Sequence, residues 1–208
     1  FISPYYNKRT DEFGGSVENR PSFSHVWYFE EVRKNVGPWF PIIVRISAEE
    51  RVPGGNTLED TLEYLEYLDE FVDMYDVSCG LNPSLQYQID SNFLPDGWRS
   101  YMARAVKDKF KKPVINAGNY RDPKIVEKVL ESGDVDIVGM GRGLIAEPNW
   151  VKKVENGEED ILRKCISCNV GCAGNRIGVN RPIRCTVNPA VPEGDIYKAL
   201  KVNKTAML

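Results

Sequence analysis

Apolar positions along this chain alternate between two rhythms. Four short runs rich in β-branched residues read as buried strands, each bounded by proline, glycine or charged positions: Ile42-Ile43-Val44-Arg45-Ile46-Ser47, and the stretches 71–78, 113–117 and 135–140. Between the first two, Leu58, Leu62, Leu65 and Leu68 fall at helical spacing behind Thr57, a good N-cap. Further helices are predicted over about 17–35, with Ser16 as N-cap, Pro21 in the first turn and Gly37-Pro38 as the stop. Others are predicted over about 98–110, 123–132 and 148–155. Residues 1–15 read as a polar loop, Pro53-Gly54-Gly55-Asn56 as a glycine-rich turn, and 79–97 as a long loop of the kind that is usually functional.

A strand–helix alternation repeated four times specifies a parallel sheet with helices packed outside it. Four such units make half of a (β/α)8 barrel, which typically needs ~250 residues. A half-barrel alone leaves two unpaired strand edges. The expected fold is therefore α/β: the C-terminal half of a TIM barrel, its first half supplied by sequence before Phe1. An irregular four-cysteine segment follows. The chain opens on Phe1 in mid-loop and ends at Leu208 as if leading into another strand, so it reads as an internal piece of a longer polypeptide. The expected divisions are a barrel half at 1–158, a cysteine segment at 159–190 and a linker at 191–208.

Composition narrows the class. With 42% hydrophobic and 27% charged residues, the 208-residue chain is globular. A net charge of -3, with both signs interspersed, gives no footprint for nucleic acid or a membrane surface. No apolar run approaches a membrane span. Four of the five cysteines lie between Cys165 and Cys185, which points to metal ligation in a reducing cytoplasm rather than a disulfide scaffold.

The spacing Cys165-x2-Cys168-x3-Cys172-x12-Cys185 is the strongest chemical signal. Thiolates so spaced can converge on one soft metal centre. Zinc sites usually pair two CxxC turns, whereas here three cysteines crowd into eight residues with a fourth further on. That favours an iron–sulfur cluster, with structural zinc as the alternative. Two glycine-bearing loops follow the last two strands: Asn116-Ala117-Gly118-Asn119 and Gly139-Met140-Gly141-Arg142-Gly143. In (β/α)8 enzymes such loops often build a phosphate site, glycine admitting close backbone approach and arginine adding a bidentate cation. The alternative is a pair of plain tight turns. Arg45 lies inside an apolar strand and must be paired if buried, either in a core ion pair with an acid such as Asp76 or as a cation facing a bound group. His25, Cys79, Trp98 and Tyr101 read as packing, and Lys107 to Lys112 as a solvated helix end.

The stretch Ser3-Pro4-Tyr5-Tyr6-Asn7-Lys8-Arg9-Thr10-Asp11-Glu12-Phe13-Gly14-Gly15-Ser16-Val17-Glu18-Asn19-Arg20 resembles the signature loop of Old Yellow Enzyme-type flavin oxidoreductases. The cysteine run and the following Cys185-Thr186-Val187-Asn188-Pro189 resemble the iron–sulfur branch, which includes dienoyl-CoA and enoate reductases and trimethylamine dehydrogenase. The resemblance implies an FMN-binding barrel, a [4Fe–4S] cluster and a further FAD- and NAD(P)H-binding domain after Leu208. It implies Arg45 at the flavin ring, Gly118, Asn119, Gly141 and Arg142 at the phosphate, and Cys165, Cys168, Cys172 and Cys185 on the cluster. The family often carries arginine directly after the first glycine, where Asn119 stands, with Arg121 two further on. The family's proton-donating tyrosine would precede Phe1, and Leu81-Asn82-Pro83 replaces the histidine expected after Gly80, so no catalytic residue is assigned. The implied activity is NAD(P)H-dependent reduction of activated C=C bonds in small-molecule enoates or enoyl-CoA thioesters, the alternatives being an amine dehydrogenase or a non-catalytic zinc-stapled scaffold. The expected partners are the rest of the same polypeptide and, in a homo-oligomer, further copies.

Overall fold

The computed structural model describes residues 2–21 and 27–191. They fall into two compact units. The first comprises residues up to Tyr120 together with Lys124–Gly139, and the second comprises Arg121–Pro123 and the residues from Met140 onward. The four expected strands form as β1 (Ile43–Ser47), β2 (Met74–Ser78), β3 (Val114–Ala117) and β4 (Ile137–Gly139). All pair in parallel, in the order β1-β2-β3-β4. Their register aligns Arg45 with Asp76, Asp76 with Ile115, and Ile115 with Ile137.

This register gives the sheet two unlike faces. Val44, Ile46, Tyr75, Val77 and Val114 are buried, and helix α5 (Ser100–Phe110) packs on β2 and β3 and touches α3 (Leu58–Glu66). The other face carries Ile43 and Ile137, 52% and 45% exposed, together with Arg45. A parallel sheet normally has both faces covered. Among the described residues only one face is.

The remaining helices are α1 (Asn19–Pro21), α2 (Trp27–Val36), α4 (Leu85–Gln88), α6 (Pro123–Glu131), α7 (Arg142–Ala146) and α8 (Trp150–Glu155). The predicted helix over 17–35 is thus seen as α1 and α2, with residues 22–26, His25 among them, outside the described set. Ser16 does cap its start, accepting from the Asn19 N–H at 3.3 Å. Gly37 stops α2 with φ of 81°.

Other segments depart from the sequence pattern. The strand expected from Phe71 begins at Met74, because Phe71 and Val72 close 3-10 turns onto Leu68 and Asp69. The strand expected over 135–140 is trimmed to three residues. Asp136 instead accepts the Val114 N–H at 2.9 Å and pairs with Lys107 at 2.8 Å. The long loop contains a 3-10 turn, Asn82–Ser84, and α4. Residues 140–158 belong to the same compact unit as the cysteine segment. No helix among the described residues is long and apolar enough to cross a membrane.

The signature loop is held by buried polar groups. Glu50 accepts from Ser3 Oγ at 2.8 Å and from the Asn56 N–H at 2.9 Å. Arg20 donates to Gly15 O and to Asn56 Oδ1. Glu50, Asn56 and Arg20 are all buried, so the loop over 3–20 is tied to the glycine-rich turn after β1 by groups that cannot be exchanged for water.

Helix α3 begins with a reciprocal cap: the Asp60 N–H donates to Thr57 Oγ1 at 3.2 Å, and the Thr57 N–H donates to Asp60 Oδ2 at 2.8 Å. Thr57→Ala is expected to cost about 1 kcal/mol, measured as a lowered denaturation midpoint with an unchanged slope.

Candidate functional site

Parallel strands deliver their C-terminal ends to one edge, and in this fold class that edge carries the chemistry. After β1 the chain turns through Glu49 and Arg51, which pair at 2.6 Å. Arg51 also donates to the Tyr101 hydroxyl at 2.7 Å, and that hydroxyl donates to Glu49 Oε1. The Arg51 guanidinium lies 5.5 Å from the Tyr87 ring centroid and 5.7 Å from that of Trp98. Burial, with the Glu49 carboxylate beside it, pushes the Tyr101 hydroxyl up to about 12. Cys79, just past β2, is fully buried and donates toward Glu49 O at 3.3 Å. Burial pushes its thiol up to about 11 despite the nearby Arg51 and Arg99. A thiol held protonated is a poor nucleophile, in line with a packing role.

Arg45 is not buried as a mid-strand arginine would be. Its side chain is 64% exposed on the uncovered face and pairs with Asp76 at 3.2 Å. The expected ion pair therefore forms, in register across β1 and β2.

The loop after β3 rests on a buried ion pair. Asp90 and Arg99, 2% and 4% exposed, meet at 3.4 Å. Asp90 also accepts from Trp98 Nε1 at 2.8 Å and from the Asn119 N–H at 3.2 Å. Arg99 donates to Tyr87 O at 3.0 Å, while its Nε has no partner. The Asn119 amide donates to the Ser91 and Leu94 carbonyls, both at 2.8 Å, so it fixes the long loop from within. A Cβ on Gly118 would stand 2.7 Å from Arg99 Nε. Glycine is thus required at 118 for packing, independently of any ligand.

The second unit holds the remaining candidates. Gly141 precedes α7, with open space where a Cβ would project. Arg142 donates to Asn169 Oδ1 at 2.6 Å. Cys165, Cys168, Cys172 and Cys185 all line one pocket, together with Arg142 and Thr186. Ser167 and Asn169, on either side of Cys168, adopt left-handed φ of 49° and 59°. These turns wrap the segment tightly enough that the Ser167 N–H reaches Cys165 Sγ at 3.4 Å. Thr186 Oγ1 lies 3.4 Å from Cys168 Sγ, and its hydrogen bond holds that thiol below the ordinary range. Gly171 is pressed against the Arg184 carbonyl, 2.7 Å from where its Cβ would be, which brings the segment leading into Cys185 against the Cys172 turn. Val170–Gly178 then winds as a π-helix that no periodicity foretold. Among the described residues, no three His, Cys, Asp or Glu side chains stand close enough to share a single metal ion.

Glu147 organises this unit. Its side chain is 1% exposed and takes Lys153 at 2.7 Å and Arg163 at 3.2 Å. Arg163 reaches on to Asn188 Oδ1 at 3.0 Å, and Asn188 donates to Ile145 O at 2.9 Å. The helices after β4 and the stretch following Cys185 are thereby joined. Burial pushes the Glu147 carboxyl up, but hydrogen bonds from Arg163 and Lys153 outweigh it and bring it to about 2.

An in-register parallel sheet with helices on one face belongs to the βα-barrel and doubly wound class of α/β folds. Within that class, residues 1–160 match the NADH:flavin oxidoreductase / NADH oxidase family, and the chain belongs to it. It is 41% identical over 202 residues to an NADH oxidase of Thermoanaerobacter brockii, covering 97% of this chain and 31% of that protein. It is 32% identical over 198 residues to the dimethylamine dehydrogenase of Hyphomicrobium sp. (strain x), covering 93% and 26%. Among solved structures, a 2-naphthoyl-CoA reductase in complex with 2-naphthoyl-CoA matches with a TM-score of 0.82 at 32% identity, over 91% of this chain and 29% of that one. The chain spans less than a third of the length of these relatives.

Sequence patterns missed Arg99, Asp90, Glu147 and Thr186. Nothing local marks a charge that will be buried. Two outcomes test the packing. Gly118→Ala is expected to destabilise the protein by about 1–3 kcal/mol through overpacking against the pinned Arg99, read by thermal unfolding. Glu147→Gln is expected to cost about 1–3 kcal/mol at neutral pH, since it weakens the charge-assisted hydrogen bonds that Lys153 and Arg163 make to a buried acceptor. Because the folded carboxyl is depressed, its contribution is complete above the ordinary value of 4.5 and is lost as pH falls toward about 2. The stability gap between wild type and Glu147→Gln should therefore close across that window; a gap that stays constant would discount the network.

Proposed function

We propose that this chain is the C-terminal half of an FMN-binding (β/α)8 barrel followed by a [4Fe–4S] segment, within a longer cytoplasmic enzyme that also binds FAD and NAD(P)H. Its reaction is the NAD(P)H-dependent reduction of activated C=C bonds in conjugated acids or their CoA thioesters. The observation that carries this reading is the pocket lined by all four cysteines in a chain of a flavin oxidoreductase family.

The uncovered sheet face supports the barrel half, since closing the barrel would cover Ile43 and Ile137. The donor set fits an iron–sulfur cluster. Four thiolates lining one pocket are the donor set that such a cluster takes. When bound, FMN supplies hydride to the β-carbon of the substrate and the cluster supplies single-electron transfer. Arg45, held by Asp76, presents a cation suited to offset negative charge on a flavin ring. Gly118, Asn119, Gly141 and Arg142 are the proposed FMN contacts, Asn119 acting through the loop it fixes. The dimethylamine dehydrogenase relative favours one second reading, oxidation of an amine with electrons passed outward.

The test is a visible spectrum of the anaerobically purified protein before and after dithionite, followed by turnover assays. Flavin bands over a broad iron–sulfur shoulder, both bleaching, are expected. Flavin without the shoulder would return the cysteines to a zinc role, and a colourless protein would sink the enzyme reading. Oxidation of NAD(P)H driven by an enoate or enoyl-CoA is expected; bleaching by a secondary amine without NAD(P)H would favour the second reading.

A further inference from the structure

The four cysteines differ in what reaches their sulfurs. Cys165 Sγ receives the backbone N–H of Ser167 at 3.4 Å, a donor that no side-chain substitution removes. Cys168 Sγ meets the hydroxyl of Thr186 at 3.4 Å, a donor written into the sequence by one side chain. Both partners are held in place. Cys168 sits between two left-handed residues, Ser167 and Asn169. Thr186 lies between two anchors: the Arg184 N–H donates to Gly171 O at 2.7 Å, and Asn188, 1% exposed, is fixed by Arg163 and Ile145. The β-branched side chain restricts χ1 as well. A ligating thiolate carries no proton, so between these two atoms only the hydroxyl can donate.

We propose that Thr186 is a positioning residue that sets the reduction potential of the cluster through its hydrogen bond to the Cys168 thiolate. The inference rests on the [4Fe–4S] reading above. Taking up one electron makes the cluster and its four thiolates one unit more negative, with no bond formed or broken. A donor on a ligand sulfur stabilises that more negative state, and hydrogen bonds to the sulfurs are among the terms that set such potentials. Removing the hydroxyl therefore lowers the potential. Valine at 186 keeps the shape and removes the donor, whereas serine keeps the donor and loses only a methyl group.

The experiment is an EPR-monitored redox titration of the anaerobically purified holoprotein as wild type, Thr186→Val, Thr186→Ala and Thr186→Ser, with iron counted in each. The expected result is a potential shifted to more negative values in Thr186→Val and Thr186→Ala, and one close to wild type in Thr186→Ser. Loss of iron from the valine and alanine variants with retention in serine also supports the proposal, since it shows the hydroxyl holding the Cys168 ligand. Unchanged potentials in fully loaded Thr186→Val or Thr186→Ala overturn it, as does loss of iron from all three variants. A wild-type protein with flavin but no iron–sulfur signal overturns both the proposal and the cluster reading. A wild-type cluster that does not respond to Thr186→Val overturns this proposal alone.

Discussion

A strictly parallel ladder sends every strand the same way, and the rest of the first unit follows from that geometry. Arg45 aligns with Asp76, and Asp76 with Ile115, so each loop that leaves a strand does so at one edge. Glu49 and Arg51, Cys79, and Gly118 with Asn119 are far apart in sequence yet all emerge there. Ladder pairing itself is generic backbone chemistry. What gives the edge its character is the set of side chains that the long loop between β2 and α5 brings back to it: Tyr87, Asp90, Trp98 and Arg99. Asp90 takes three donors from two segments, so the loop and the glycine turn after β3 are one rigid piece.

The second unit solves a different problem. It has short helices and irregular chain, with little apolar mass to organise it. A buried carboxylate does that work instead, gathering Lys153 and Arg163 and, through Arg163, Asn188. Buried charges are poor sources of net stability compared with apolar packing, but leaving one unpaired is costly. Such a network specifies one arrangement of the chain around the cysteines more firmly than it stabilises that arrangement.

The strands were legible because β-branched runs between breakers have few other uses; Ile43–Ser47 and Val114–Ala117 lie within the expected runs. Their ends were less so. Phe71 looks like strand, yet its N–H turns back onto Leu68, and Asp136 belongs by pattern to β4 but acts as a side-chain acceptor for β3. The cysteine spacing singled out its segment, and the four side chains do line one pocket. It could not announce the π-turn or the left-handed Ser167 and Asn169, because non-glycine residues take such φ values only when tertiary contacts hold them there. Arg45 was readable as one half of an ion pair, and its exposure was not, because burial depends on what covers a face rather than on the strand itself. Arg99 and Glu147 were invisible for a related reason: a charge becomes a core residue only when its partners arrive from elsewhere in the chain.

The anchoring of the long loop is uneven along its length. Its stem is tied at Asp90, and Asn119 grips the Ser91 and Leu94 carbonyls. Between those two grips Phe93 stands 90% exposed. Residues at that tip can be exchanged at little cost to folding, while the stem keeps presenting whatever the tip carries at the same place. Such a division uncouples the identity of the tip residues from what holds the loop in place: a few tip positions can change with the buried charge pair beneath left untouched.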